Sequence, residues 1–292
     1  MGTLIGQLVL DGMAMGLVYV ILAAGLVLIM NVSGIFLIAY GQFYMIGAYV
    51  VWASIVLLKL PFFVALGMAA TATGILGLLS YVFIFRRIQF AERQFLVVIV
   101  AAIGLMMILS QIGLLLFGTK PQGIPPVFPG IITLGGVSIP NDKLMMIVLA
   151  IAITFALFWV YEKTKIGRVM RAVAFLPNAA GLQGIKTGRV YLIVMAIGSA
   201  LAGFAGGIMA PSYSIHPEMG TNIFLSVMLI MMLGGMDSLL GTIPSGLILG
   251  MTLSFGQYFI GAQAQIILYV IIGIIIFFRP GGLLGRGMKL GI

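Results

Sequence analysis

The side chains that usually carry chemistry are scarce in this sequence. It has no Cys and a single His among 292 residues, which removes disulfides, thiolate nucleophiles, iron–sulfur ligation and thiolate metal sites together. The single imidazole, His216, stands among polar loop residues with Pro217 behind it, which reads as a solvated loop histidine rather than a catalytic base. Of the six carboxylates, Asp11 and Asp237 lie nearest to apolar runs, where an ionised group costs about 2.5–3.5 kcal/mol on insertion scales. Asp11 fits an interface if the first helix begins near Gly12, and Asp237 fits a glycine turn. Gly113 and Gly118 have the spacing of a phosphate-cradling loop, but Thr119-Lys120 follows in the wrong order for one. No catalytic, cofactor-binding or metal-binding set is assigned, and the chain is not expected to be an enzyme.

The composition says what the chain is built for instead. Hydrophobic residues make up 62% and charged residues 7%, against roughly 25% charged in a soluble domain. At roughly 20 residues per helical crossing, the apolar content allows at most about nine. The expected fold is an all-α integral membrane protein, a polytopic helical bundle of about 8 to 9 transmembrane helices with some broken helices. Candidate spans fall near 4–30, 35–58, 61–85, 95–117, 144–161 and 191–211, and an apolar block at 223–278 divides into three at Gly234–Ser238 and Gly261–Gln263. The first run lacks a cationic start and stays apolar to Met30, so it is read as a retained helix rather than a cleaved signal.

The net charge is +9, yet the cations sit in loops, so no nucleic-acid partner is expected. All Lys and Arg except Lys59, Lys120 and Lys143 cluster at Arg86–Arg93, at Lys163–Arg189 or at Arg279–Lys289. By the positive-inside rule these three clusters face the cytoplasm. The amino terminus is then outside and the carboxyl terminus inside, with a proline-rich external loop at 118–143 and an external turn at His216 and Glu218.

Within the cytoplasmic segment 162–190, Ile166, Val169, Met170 and Val173 recur at helical spacing, with Lys165, Arg168 and Arg171 beside them. Pro177-Asn178 ends that helix. Such a face suits anionic lipid or a cytoplasmic partner, and periodicity leaves both open. Glycine also interrupts the spans in pairs: Asn31–Gly34 with Tyr40-Gly41-Gln42 early, and Gly234–Gly241 with Pro244 late. Broken helices in a bilayer survive only where protein or water satisfies the freed backbone, and paired breaks point to a solute path. Gly203 with Gly207, and Gly246 with Gly250, suit close helix packing inside the subunit.

Four strings together resemble a known family. KIGRVMRAVAFLPNAAGLQGI (165–185) resembles the coupling loop of ABC importer permeases of the branched-chain amino acid, LivH-like, type. SGIFLIAYGQFYMIGAYV (33–50), LGGMDSLLGTIPSGLILG (233–250) and RPGGLLGR (279–286) are similar to the family's early segment, glycine-rich segment and terminal motif, in order. Ile38 and Tyr40 stand where the family often has Asn and His, and Gly235-Met236-Asp237-Ser238 where it often has Gly-Xaa-Gly-Ser; these positions bear on substrate.

The resemblance implies a single transmembrane permease domain over 1–292, in the inner membrane of a bacterium or archaeon, with no cofactor of its own. It implies two cytoplasmic ATPase subunits, a second permease subunit, identical or sibling, and an external solute-binding protein, besides membrane lipid. Ile166, Gly167, Arg168, Val169, Arg171, Ala172, Val173, Asn178, Ala180 and Gly184 would dock an ATPase. Tyr40, Gly41, Gln42, Gly234, Gly235, Asp237 and Ser238 would lie at the translocation path. Branched-chain or related small amino acids are the leading substrate, although the family type also serves urea and short amides. The alternative is a secondary carrier or channel without ATPase partners.

Overall fold

The computed structural model describes residues 2–88, 94–134, 137–278 and 281–283. Arg93, Arg279, Arg286 and Lys289 of the cationic clusters lie outside them. The chain is an all-α polytopic membrane protein: seven described helices are long and apolar enough to cross a membrane, and Met219–Gly234 and Ala264–Ile274 are shorter apolar ones.

Helix α1 (Gly2–Ser33) spans about 48 Å at 1.5 Å per residue, well beyond a hydrocarbon core of about 30 Å. It is apolar on every side, and a helix of that kind belongs inside a bundle. Val18 and Val20–Ala24 are fully buried, as are Leu26, Val27 and Ile29. The helix covers the expected 4–30 span. Its start at Gly2 rather than near Gly12 puts Asp11 inside α1, where Lys143 pairs with it at 2.7 Å.

Helix α2 (Tyr40–Trp52) is short and nearly all buried, and a π-helical turn, Ala53–Leu57, extends it. Pro61, locked near φ −64°, opens α3 (Phe62–Ser80). A second π turn, Tyr81–Phe85, leads into α4 (Arg86–Ile88). Helix α5 (Gln94–Phe117) turns Val100, Met107, Leu115 and Leu116 outward, the surface expected against lipid.

A hairpin follows, β1 (Ile131–Leu134) with β2 (Val137–Pro140). Gln122 bridges to Ile215, so the 118–143 loop and the His216 turn lie together. Then come α6 (Asn141–Lys163), α7 (Lys165–Phe175), α8 (Pro177–Leu182) and α9 (Thr187–Met209). The 223–278 block divides where glycine suggested, into α10 (Met219–Gly234), α11 (Thr242–Ile260) and α12 (Ala264–Phe278). The breaks fall at Gly235–Gly241 and at the 3₁₀ turn Gly261–Gln263.

Glycines set how closely the inner helices pack. A Cβ at Gly250 would overlap Gly12 and Gly16 of α1, and one at Gly246 would meet Val20. On α9, Gly203 faces Thr73 of α3 while Gly207 faces Leu66 and Val51. Both glycine pairs therefore pack within the subunit, as their spacing suggested.

Candidate functional site

Gly34, at φ +69°, takes a conformation that costs other residues roughly 1–2 kcal/mol and ends α1. Its N–H still donates to the Met30 carbonyl at 2.9 Å. Between Gly34 and α2 the chain is irregular and burial alternates: Ile35, Leu37 and Ala39 point inward, while Phe36 and Ile38 stay half-open. Phe36 packs edge-on against Phe224 of α10, ring centroids 6.2 Å apart.

The next three residues have distinct roles. Tyr40 is fully buried, and its hydroxyl donates to the Gly198 carbonyl of α9 at 3.2 Å. A Cβ at Gly25 would overlap that hydroxyl. Gly41 lies against the Gly220 carbonyl in the first turn of α10, so close that a Cβ there would overlap it. Gln42 is fully buried, and its Nε2 donates to Thr221 Oγ1 at 3.4 Å. Its Oε1 has no partner. Tyr40 and Gly41 hold α2 in place, whereas Gln42 keeps unused hydrogen-bonding capacity.

The second break is a surface turn held by caps. Gly234 and Gly241 touch through their backbones, and Gly235 has φ +100°. Ser238 Oγ accepts from the Gly241 N–H at 3.0 Å, and Thr242 Oγ1 donates to the Leu239 carbonyl at 2.7 Å. Asp237 is exposed, and its backbone carbonyl accepts from Asn31 Nδ2, one turn before the end of α1, at 3.1 Å. The Leu283 N–H donates to the Leu233 carbonyl at 2.7 Å, satisfying one of the carbonyls that a helix end leaves open. Gly282, at φ +71°, sits where a Cβ would be 2.6 Å from Gly235 N. Two motifs distant in sequence, LGGMDSLLG and the described part of RPGGLLGR, thus form one structure.

The 162–190 connector folds as an elbow. Thr164 caps α7, its Oγ1 accepting from the Gly167 N–H at 3.2 Å. Gly167 packs on the carbonyl of Tyr161, and Met170, Val173 and Ala180 are buried in the subunit. Arg171 donates to the carbonyls of Tyr161 and Glu162 and lies over the Tyr161 ring, where a cation favours the end of α6. Ile166, Arg168, Ala172, Asn178 and Gly184 are exposed and Val169 half-buried.

The apolar stripe read from the sequence is therefore divided, its inner half taken by the subunit. Periodicity missed the outer apolar groups: Phe175 is 80% exposed, Leu176 56% and Leu182 91%. Their polar surroundings were the available signal. A groove of about 180 Å³ lined by Ile166, Val169, Met170, Val190 and Ile193 runs between α7 and α9.

Where α1, α6 and the 210–218 turn meet, burial and then the Asp11 carboxylate push the Tyr213 hydroxyl up to about 12. It stays protonated at any physiological pH.

A long apolar bundle with one buried break, one capped turn and one polar elbow suits a membrane transport protein. The family model for the permease component of the branched-chain amino acid transport system matches residues 8–279, and the chain belongs to that family. It is 27% identical to the high-affinity branched-chain amino acid transport permease BraD of Pseudomonas aeruginosa, covering 96% of this chain and 95% of that one. To LivH of Escherichia coli K12 it is 26% identical, with the same coverage. Its fold is similar to that in the solved structure titled PsaBC from Streptococcus pneumoniae in complex with Fab, at a TM-score of 0.51 and 14% identity, over 96% of this chain and 94% of that one.

Proposed function

We propose that this chain is a permease subunit of an ABC importer that moves branched-chain or related small amino acids inward by alternating access. Two cytoplasmic ATPases drive it, a second permease subunit completes the path, and an external binding protein delivers the solute. The observation that carries the reading is the elbow. Phe175, Leu176 and Leu182 stand exposed on a connector rich in cations, and large apolar groups so placed suit a protein contact. Ile166, Arg168, Ala172 and Asn178 offer the rest of that surface, while Gly167, Arg171, Val173 and Ala180 stiffen it from within.

The same reading puts the amino terminus outside and the elbow inside, since cation-rich segments face the cytoplasm. The solute path runs past the Gly34–Ala39 break, with Gln42 beside it and Asp237 and Ser238 at its inner end. Membrane-impermeant thiol labelling tests the orientation. Lys120→Cys and His216→Cys should react in intact cells and Arg168→Cys should not.

Function is tested by purifying the complex in mild detergent and measuring ATP-dependent leucine uptake in proteoliposomes. Replacing Phe175 and Leu182 by Ser should release the ATPase. Full ATPase retention by that double variant would leave the elbow as a lipid contact, and uptake without ATPases would make the chain a secondary carrier.

A further inference from the structure

We propose that the Gln42 side-chain oxygen is the acceptor for the ammonium group of the transported amino acid; this rests on the importer reading above. The first turns of α2 and α10 meet where Gly41 lies on the Gly220 carbonyl. The first-turn amides of Tyr40, Gln42, Met219 and Thr221 already donate to the carbonyls of Leu37, Ala39, His216 and Glu218. Gln42 Oε1 lies at this junction, 2.7 Å from where a Cβ on Gly220 would stand. It is fully buried and accepts no hydrogen bond.

A buried carbonyl oxygen without a donor loses its hydration and gains nothing in return, a cost of about 1–3 kcal/mol. Native structures hold few such groups, and each calls for a partner such as a water, an ion or a ligand. The other buried oxygens without partners among the described residues are different. Those of Tyr49, Thr154, Ser199 and Ser245 are hydroxyls, which can rotate, and the Ser and Thr ones can bond a carbonyl of their own helix. Asn141 Oδ1 belongs to a half-buried side chain at the start of α6 whose nitrogen donates to the Pro129 carbonyl. The Gln42 amide turns its nitrogen to Thr221 Oγ1, and Thr221 is exposed. One residue therefore separates the orphan oxygen from the open face of α10.

An ammonium group is a donor without acceptor capacity, so it complements Oε1. The ammonium end of a zwitterion is read here, and a solute lacking it leaves Oε1 unpaired. Thr221 is a positioning residue that orients the amide.

The test reconstitutes the whole importer with its binding protein and measures radiolabelled leucine taken up per ATP hydrolysed. Gln42→Leu should lower that ratio about tenfold, the loss expected for a hydrogen bond to a charged group. Gln42→Glu, which keeps acceptor oxygens, should stay nearer the wild-type ratio. Thr221→Val should lower it about two- to threefold, as for a neutral hydrogen bond, and decides the matter if Gln42→Leu fails to assemble. An unchanged ratio in the variants that assemble overturns the assignment and leaves the importer standing. Wild-type uptake of urea instead of leucine overturns the ammonium assignment alone. Absence of ATP-driven uptake in the wild type removes the importer reading, and this assignment with it.

Discussion

The two helix breaks look alike in sequence and differ in what holds them. Each follows an apolar helix, each turns on a glycine of positive φ, at Gly34 and Gly235, and each carries small polar residues. The first continues into Ile35-Phe36-Leu37-Ile38-Ala39, which folds back among helices and is held by packing. The second continues into Met236-Asp237-Ser238 and is held by a hydrogen bond that Ser238 accepts and by those that Asn31 and Leu283 donate. Glycine says that a helix stops; the residues after it decide whether the chain stays buried. A break held by packing should fail when enlarged, and a break held by caps should fail when a capping partner is lost.

The largest effect is expected at the first break. Gly41→Val would drive a branched side chain into the Gly220 carbonyl, where backbone on both sides leaves nothing flexible to yield. Overpacking costs about 1–3 kcal/mol even where side chains can adjust. The variant should give little monodisperse protein in detergent size-exclusion chromatography. A stable, active Gly41→Val would mean that α2 and α10 do not meet as described.

At the second break, Gly282→Ala adds a Cβ against Gly235 N and the Met232 carbonyl at a positive φ, a backbone penalty of roughly 1–2 kcal/mol. The affected segment lies at a helix end, so the bundle should survive. The expected outcome is a lowered melting temperature with assembly intact, and faster hydrogen exchange at Gly235–Gly241. Unaltered exchange there would show that the 281–283 segment does not support the turn.

Asn31 is the direct link between the regions, and Asn31→Ala removes a single side-chain bond worth about 1 kcal/mol. Combined with Gly282→Ala it should be non-additive, because both act on one turn. Simple additivity would separate them.

Much of this was legible beforehand, for physical reasons. Hydropathy marked the spans because water-free surroundings demand apolar side chains, and glycine marked the division of 223–278 because the backbone demands it at Gly235 and Gly261. The elbow was only half legible. Periodicity identified the stripe Ile166, Val169, Met170, Val173 but not which half the subunit would occupy, since that depends on where Tyr161 and Gly167 bring α7 against α6. Arg171 looked like a surface cation for the same reason; its partners are carbonyls at the end of α6, and a carbonyl has no sequence signature. The orphan oxygen of Gln42 was equally invisible, because an unmade hydrogen bond is a property of the packed state.

The smallest stability effect is expected at Asp237. Its side chain is exposed and the bond to Asn31 uses its backbone carbonyl, so Asp237→Asn preserves the shape and the recorded bond while removing the charge. Substitutions at such positions usually change stability by no more than about 0.5 kcal/mol, and the melting temperature should stay where it was. Uptake is the informative measurement. If the inner end of the path passes this turn, the carboxylate sits where a departing zwitterion meets the cytoplasm, and losing it should slow transport less than Gln42→Leu does. The effect should also shrink as salt is raised, because an exposed charge acts through a screened field of about 8 Å range at physiological ionic strength. Ser238→Ala separates charge from shape: it removes the acceptor for the Gly241 N–H and should lower the melting temperature without that salt dependence. An Asp237→Asn permease with unchanged uptake at every salt concentration would make the second break an ordinary turn and leave the first as the part of the pair that meets the solute.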